Sequence, residues 1–203
     1  MKLYYTPGAC AMSVHIALCE LGLPHEAVAV DLKSHTYDGG KDYYQVNPKG
    51  YVPALQLDDG QVLTELPAIM QYLAELKPEA NLLPASGIER ARAVGWFTFI
   101  GMELHRNCTP FFRPGTSDDW KQAARAQLER RLSYVNEELA NREYLVGNQF
   151  TLPDAYLFTV LNWMKHVGLD LASWPNVAAF RARVAARPKV QEAMRAEGLP
   201  VGD

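Results

Sequence analysis

The stretch Gly50-Tyr51-Val52-Pro53-Ala54-Leu55-Gln56-Leu57-Asp58-Asp59-Gly60-Gln61-Val62-Leu63-Thr64-Glu65 decides the fold. It reads as a short apolar strand, an Asp-Asp-Gly turn and a second short strand. The Asp-Gly step supplies the positive-φ residue that a two-residue hairpin requires. Glu65 closes the second strand, and Pro67 stands where a helix should begin, a first helical position at which its missing N–H has no helical partner. The amphipathic run Ala68-Ile69-Met70-Gln71-Tyr72-Leu73-Ala74 continues that helix. An acidic side chain therefore stands at the mouth of a helix N-terminus, beside unpaired backbone amides. That combination grips a ligand carrying both an ammonium and a carboxylate group. Pro53 heads the first strand, where no ladder donor is lost. Residue statistics alone favour a trans bond there.

Working outward toward the N-terminus, residues 2–5 form a strand candidate and Thr6-Pro7-Gly8-Ala9-Cys10 a turn. A helix is expected over 12–21, with Val14, Ala17, Leu18 and Leu21 on one stripe and Gly22 as its terminator. Residues 25–30 read as a second strand. Strand, helix and strand in so short a span make a βαβ unit, which pairs its strands in parallel. Residues 31–45 are expected to be loop with a short helix, giving the order β-α-β-α-β-β-α.

Beyond this domain, assigned to 1–80, the character changes. Residues 81–87 are read as a linker, and 88–203 as an all-helical domain. Helices are expected over 88–107, from Thr116-Ser117-Asp118-Asp119 to about 139, over the very apolar 155–167, over 175–187 and over 190–197. Thr151-Leu152-Pro153-Asp154 resembles a capping box. The fold class is thus an α/β N-terminal domain followed by an all-α domain.

Net charge is −3, with 48% hydrophobic and 21% charged residues, so no basic footprint points to nucleic acid. No apolar run approaches a membrane span, and the first residues lack a signal peptide's apolar core. The chain has 3 cysteines, an odd number that fits a reducing cytoplasm better than a disulfide framework. None of His15, His25, His35, His105 and His166 has metal-ligand spacing to another histidine or to a cysteine pair, so no metal is expected. Cys10 opens a helix, where amides and the dipole stabilise a thiolate and lower the thiol pKa. Cys19 falls inside a helix and reads as structural. His105, in mid-helix, reads as an ordinary surface or interface histidine when taken alone.

Tyr4-Tyr5-x-Pro7-Gly8-Ala9-Cys10, Asn47-Pro48-Lys49-Gly50-x-Val52-Pro53-Ala54-Leu55, Leu63-Thr64-Glu65, Ala68-Ile69-x-x-Tyr72-Leu73, Phe150-Thr151-x-x-Asp154 and Trp174-Pro175-Asn176-Val177 occur in order along nearly the whole chain. Together they resemble the glutathione S-transferases. Cys10 and Glu103-Leu104-His105 resemble the bacterial beta class in particular.

The resemblance implies a thioredoxin-like N-terminal domain, a homodimer, a cis Val52-Pro53 bond and glutathione as co-substrate, with no metal. It implies catalytic roles for Cys10 and His105 beside the glutathione sulfur. Glutathione contacts are implied for Tyr5, Cys10, His35, Tyr51, Val52, Pro53, Glu65, Leu66, Thr98, Met102, Glu103, Leu104 and His105, some reaching the neighbouring subunit's site. Val52 is placed against the cysteinyl part, Glu65 and the Leu66 amide against the γ-glutamyl end, and His35 near the glycyl end. The reaction implied is attack by the glutathione thiolate on a hydrophobic electrophile, with apolar wall from Tyr5, Phe111, Phe112 and Trp163. Two alternatives remain at this stage. One is thiol–disulfide exchange or peroxide reduction through Cys10; the other is a non-catalytic binding or docking protein. Ala11 stands where the family commonly has serine, Leu66 where a small or hydroxyl residue is common, Thr98 where asparagine occurs and His35 where lysine is common. Each is expected to weaken the hold on glutathione.

Overall fold

The computed structural model describes residues 1–201. The chain forms two compact units: Met1–Leu83 together with the residues from Ala185 onward, and Pro84–Val184. The expected boundaries placed all of 88–203 in the helical domain. The contacts instead group the last helix with the N-terminal unit.

The first unit is built on β1 (Lys2–Tyr5), α1 (Ala11–Glu20), β2 (Glu26–Asp31), β3 (Thr36–Tyr37), β4 (Lys41–Asp42), β5 (Ala54–Gln56), β6 (Val62–Thr64) and α2 (Leu66–Leu76). Its six strands run in the order β4-β3-β2-β1-β5-β6. β1 and β2 pair in parallel and β5 and β6 antiparallel, as the βαβ and hairpin readings require. Residues 31–45 hold no α-helix: the segment makes the two short strands β3 and β4 and one 3-10 turn over Tyr43–Gln45. Asp42 caps that turn, accepting from the Tyr44 amide. Tyr4 sits edge-on to Tyr37 at 5.3 Å and tilted against Tyr43 at 5.8 Å, which fills the space a longer helix would have occupied.

The hairpin loop has three residues rather than two. The Gly60 amide reaches the Leu57 carbonyl at 3.0 Å, and the Leu57 amide reaches the Gln61 carbonyl at 2.8 Å. With Gly60 at φ 88°, this is a turn closed by a left-handed glycine. Gly50 is constrained twice: its φ is 72°, and a Cβ there would meet the Tyr44 ring at 2.6 Å.

Helix α1 is buried along Ala11–Cys19 rather than on one stripe, because sheet, α2 and a returning helix enclose it. That returning helix, α9 (Pro188–Ala196), starts at a proline and is tied back by Arg187, which grips both Glu20 carboxylate oxygens at 2.7 and 2.9 Å. On α2, Ile69, Met70 and Leu73 are fully buried, the predicted stripe. Each such side chain contributes about 1.5–3 kcal/mol on leaving water.

In the second unit, α3 (Gly87–Phe99), a π-helical segment (Ile100–His105) and α4 (Arg106–Phe112) form one continuous run. At the π segment the Arg106 amide bonds the Gly101 carbonyl, five residues back. Then follow α5 (Asp118–Glu138), α6 (Leu152–Leu161), α7 (Met164–Val167) and α8 (Pro175–Ala185). Ser117 caps α5 as expected, with Asp118 and Asp119 in its first turn. Every residue of α6 is buried. Its N-terminus is fixed by Asp154, whose Oδ2 accepts the Thr151 amide and hydroxyl, each at 2.7 Å, while Oδ1 accepts the Leu145 amide at 2.8 Å. The Asn136 side chain on α5 accepts the Asn176 amide at 2.9 Å and so anchors the start of α8.

Candidate functional site

In the first unit, chain reversals place Cys10 and Glu65 at two helix entrances. The loop before Cys10 is held by the Thr6 hydroxyl donating to the Val30 carbonyl at 2.8 Å and by the Gly8 amide donating to Glu197 Oε2 at 2.9 Å. Cys10 occupies the N-cap of α1. Its thiol donates to the Val52 carbonyl at 3.3 Å. The Val52-Pro53 bond is cis, as the family resemblance implied and residue statistics did not.

The expected thiolate at Cys10 is corrected. Burial pushes the thiol up to about 12, outweighing the downward pull of the Cys10 and Ala11 amides, and the Glu65 carboxylate raises it further. A donor bond to a carbonyl also needs the hydrogen in place. Cys10 is a protonated hydrogen-bond donor here.

Glu65 sits at the N-cap of α2 with φ 68° and ψ 109°, a backbone region that bulky residues rarely occupy. Leu66, not Pro67, is the first helical residue, so its amide has no intrahelical acceptor. The Leu66 side chain is buried. The carboxylate expected to stand open is partly engaged: Oε1 accepts Lys49 Nζ at 2.6 Å and the Tyr51 hydroxyl at 2.7 Å. These donors hold its pKa below the usual carboxylate range, Lys49 first and Tyr51 second. The Tyr51 carbonyl is itself held by the Asn47 side chain at 2.6 Å and the Tyr43 hydroxyl at 3.1 Å. His35 has φ 53°, lies against the Tyr44 ring at 4.6 Å, and buries Nδ1 without a hydrogen-bond partner. Tyr5 is buried against the His15 ring at 5.8 Å.

In the second unit, His105 ends the π segment, a widened turn frequent at functional positions. Its Nδ1 lies 2.7 Å from the Tyr156 hydroxyl, and its ring meets Trp163 edge-on at 4.8 Å. Desolvation pushes its pKa down to about 4, so the imidazole is neutral near pH 7. It is therefore no ordinary surface histidine. Phe112 extends the aromatic group, 5.8 Å from Trp163, whereas Phe111 stacks under Arg125 at 5.7 Å. Met102 is exposed and Leu104 fully buried, so only the former offers its side chain to a ligand. The Glu103 carboxylate is spent on α5, accepting Arg131 at 2.6 Å and Gln127 at 2.9 Å. Thr98 is exposed and turns its hydroxyl to the Val94 carbonyl at 3.1 Å.

The sequence reading kept His15, Cys19 and His25 apart, but the structure gathers one ligand atom of each within 4.8 Å. The His15–Cys19 spacing of one helical turn was the available signal; the return of His25 was not.

Sequence models of the glutathione S-transferase N-terminal domain and C-terminal domain match residues 8–76 and 94–188. The chain is 50% identical over 200 residues to a glutathione S-transferase, GstA, of Escherichia coli O157:H7, covering 98% of this chain and 100% of that one. It is 52% identical, with a TM-score of 0.96, to the solved structure described as a ternary complex of BphK, a bacterial GST, covering 98% and 100% of the two chains. A bacterial beta class enzyme of Sphingomonas chungbukensis follows at 44% identity and TM-score 0.95, again over 98% and 100%. The chain belongs to the glutathione S-transferase family, and its thioredoxin-like sheet and helical domain are that family's fold. Among its relatives in structure are bacterial beta class members.

Proposed function

We propose that this protein is a glutathione transferase that joins the sulfur of glutathione to hydrophobic electrophiles. The observation that carries the reading is the double helix-entrance arrangement in the first unit. Cys10 donates to Val52 beside the cis proline. Glu65 holds a rare backbone conformation next to the unpaired amide of Leu66. An ammonium group meets the Glu65 carboxylate and a carboxylate meets the helix amide, which are the two charges of a γ-glutamyl group. A sphingomonad relative of 44% identity was solved in complex with glutathione, which supports the same ligand here.

In the reaction, glutathione loses its thiol proton to solvent. The sulfur then forms a bond to the electrophilic carbon, and the leaving group departs with its electron pair. The protein lowers the barrier by holding the thiolate in place and by directing hydrogen bonds to it. Cys10, as a thiol, can supply such a bond. His105 can also supply one from its neutral ring, but it brings no positive charge. Phe112 and Trp163 offer apolar surface for the electrophile. The protonated state of Cys10 disfavours the redox alternative, since the thiolate is the exchanging species.

The same reading covers detoxification in the cytoplasm by a homodimer. All three cysteines are free, which suits a reducing compartment. No helix among the described residues is long and apolar enough to cross a membrane. The exposed Tyr134, stacked on Trp96 at 6.1 Å and edge-on to Phe99 at 5.3 Å, forms an aromatic face suited to a second copy. The test is turnover of a nitro-activated aryl chloride and several other electrophiles with glutathione. Rates well above the uncatalysed background are expected. Background rates with every electrophile would overturn the assignment.

A further inference from the structure

We propose that His15, Cys19 and His25 form a binding site for a zinc-class divalent metal ion, distinct from the helix entrances at Cys10 and Glu65. His15 and Cys19 project from one face of α1, four residues apart. The turn at Gly22 (φ 62°) brings His25 back beside them, its ring edge-on to His15 at 5.1 Å. One ligand atom from each residue lies within 4.8 Å of the others.

The second layer of contacts points the same way. His15 Nδ1 meets the buried Glu197 carboxylate at 3.0 Å, and His25 Nδ1 meets the Leu23 carbonyl at 2.9 Å. Both partners are acceptors, so each Nδ1 carries a hydrogen and Nε2 is the nitrogen left for a metal. Carboxylate and carbonyl partners behind ligating imidazoles are how metal sites orient their histidines. Two imidazoles and a thiolate suit zinc and its neighbours, not calcium or magnesium.

Charge balances as well. A dication with one thiolate and two neutral rings leaves one positive charge, faced by Glu197 behind His15 and by Glu192 of α9, whose charge acts on Cys19. Glu192, already paired with Lys189 at 2.7 Å, or a water completes a tetrahedron. To ligate the ion, the Cys19 thiol gives up its proton, as any thiol ligand does. Metal binding releases that proton to solvent. Tetrahedral geometry needs donors about 3.3–3.8 Å apart. The cluster closes by about 1 Å through His25, which sits half-buried in the turn after α1.

The test is titration of the chelator-stripped full chain, free of glutathione, with cobalt(II) as a spectroscopic stand-in and with zinc(II). Wild type and Cys10→Ala are expected to take up one ion per chain, with a thiolate-to-cobalt charge-transfer band and a rise in thermal midpoint. Cys19→Ser should lose the band, and His25→Ala, at a half-exposed position, should bind at least tenfold more weakly. No saturable uptake by wild type would overturn the proposal. So would a band that survives Cys19→Ser or disappears in Cys10→Ala, which would place the ion elsewhere.

Discussion

Lys49 Nζ lies 2.6 Å from Glu65 Oε1, so one oxygen of this carboxylate is already held by the chain's own ammonium. The Tyr51 hydroxyl shares that same oxygen at 2.7 Å. The arrangement orients the carboxylate and leaves Oε2 as the face for an incoming amine. The pair is exposed, so it contributes little to folding. On the proposed function, its value lies in ligand recognition. Glu65→Gln keeps the shape and removes the charge. Affinity for glutathione should fall about 10- to 100-fold, the worth of one charge-assisted bond, with the thermal midpoint unchanged. Calorimetric titration with glutathione checks this; an unchanged affinity would remove Glu65 from the site.

The Cys10 thiol should react slowly. With its pKa raised to about 12 by burial, its thiolate fraction near neutrality is far below that of an ordinary cysteine. Alkylation of Cys10 by iodoacetamide, followed by mass spectrometry across pH, should accelerate with pH without levelling off before pH 10. A plateau near pH 7 would show a stabilised thiolate and revive a nucleophilic role. Conjugation by Cys10→Ala should fall by no more than about tenfold, the loss of one hydrogen bond to sulfur.

These two residues also show where the sequence was informative. Cys10 and Glu65 were placed at helix entrances by local signals: a Pro-Gly turn before one, a proline-led helix after the other. Local signals travel only a few residues. The thiol's ionisation depends on walls from remote segments such as Val52, so the downward pull of the local amides, right in sign, is outweighed by burial. The engagement of Glu65 by Lys49 depends on a loop 16 residues earlier in the chain. The βαβ unit and the α2 stripe were legible because period and spacing specify them. The hairpin's length was not, since Asp-Gly serves two- and three-residue loops alike and the Leu57–Gln61 pair decides. The return of α9 onto α1 had no signal in pattern at all, because it rests on Glu197 meeting His15 and Gly8.

That last contact gives a stability prediction. Glu197 is buried and answers both the His15 ring and the Gly8 amide. Glu197→Ala takes the carboxylate acceptor away from the buried His15 ring and from the Gly8 amide, a cost of about 2–5 kcal/mol. Urea unfolding should show the unfolding free energy falling by that amount. A loss below ~1 kcal/mol would mean that water replaces the carboxylate.

Asp154 should be as costly to remove. Its side chain is fully buried and accepts three hydrogen bonds at the start of a helix with no exposed face. Asp154→Ala strands those donors and should cost about 3–5 kcal/mol. Asp154→Asn retains an acceptor oxygen and should cost less. Equal losses would assign the effect to charge rather than to hydrogen-bond count.

The His105 ring supplies a pH signature. Its pKa is about 4 in the folded protein, lowered by burial, against a usual value near 6.5. Between those values the unfolded chain binds a proton that the folded chain refuses. Stability therefore rises with pH through that window, is complete above about pH 6.5, and is lost as pH falls toward 4. A shift of this size corresponds to roughly 3 kcal/mol at the acid end. Other carboxylates titrate in the same range, so the comparison must be with His105→Gln, which can still bond Tyr156 but does not titrate. Urea unfolding at pH 7 and pH 4.5 should show a larger loss for wild type than for the variant. If both lose the same stability, the imidazole is charged or solvated in the folded state. The proposed role of a neutral His105 ring then fails with it.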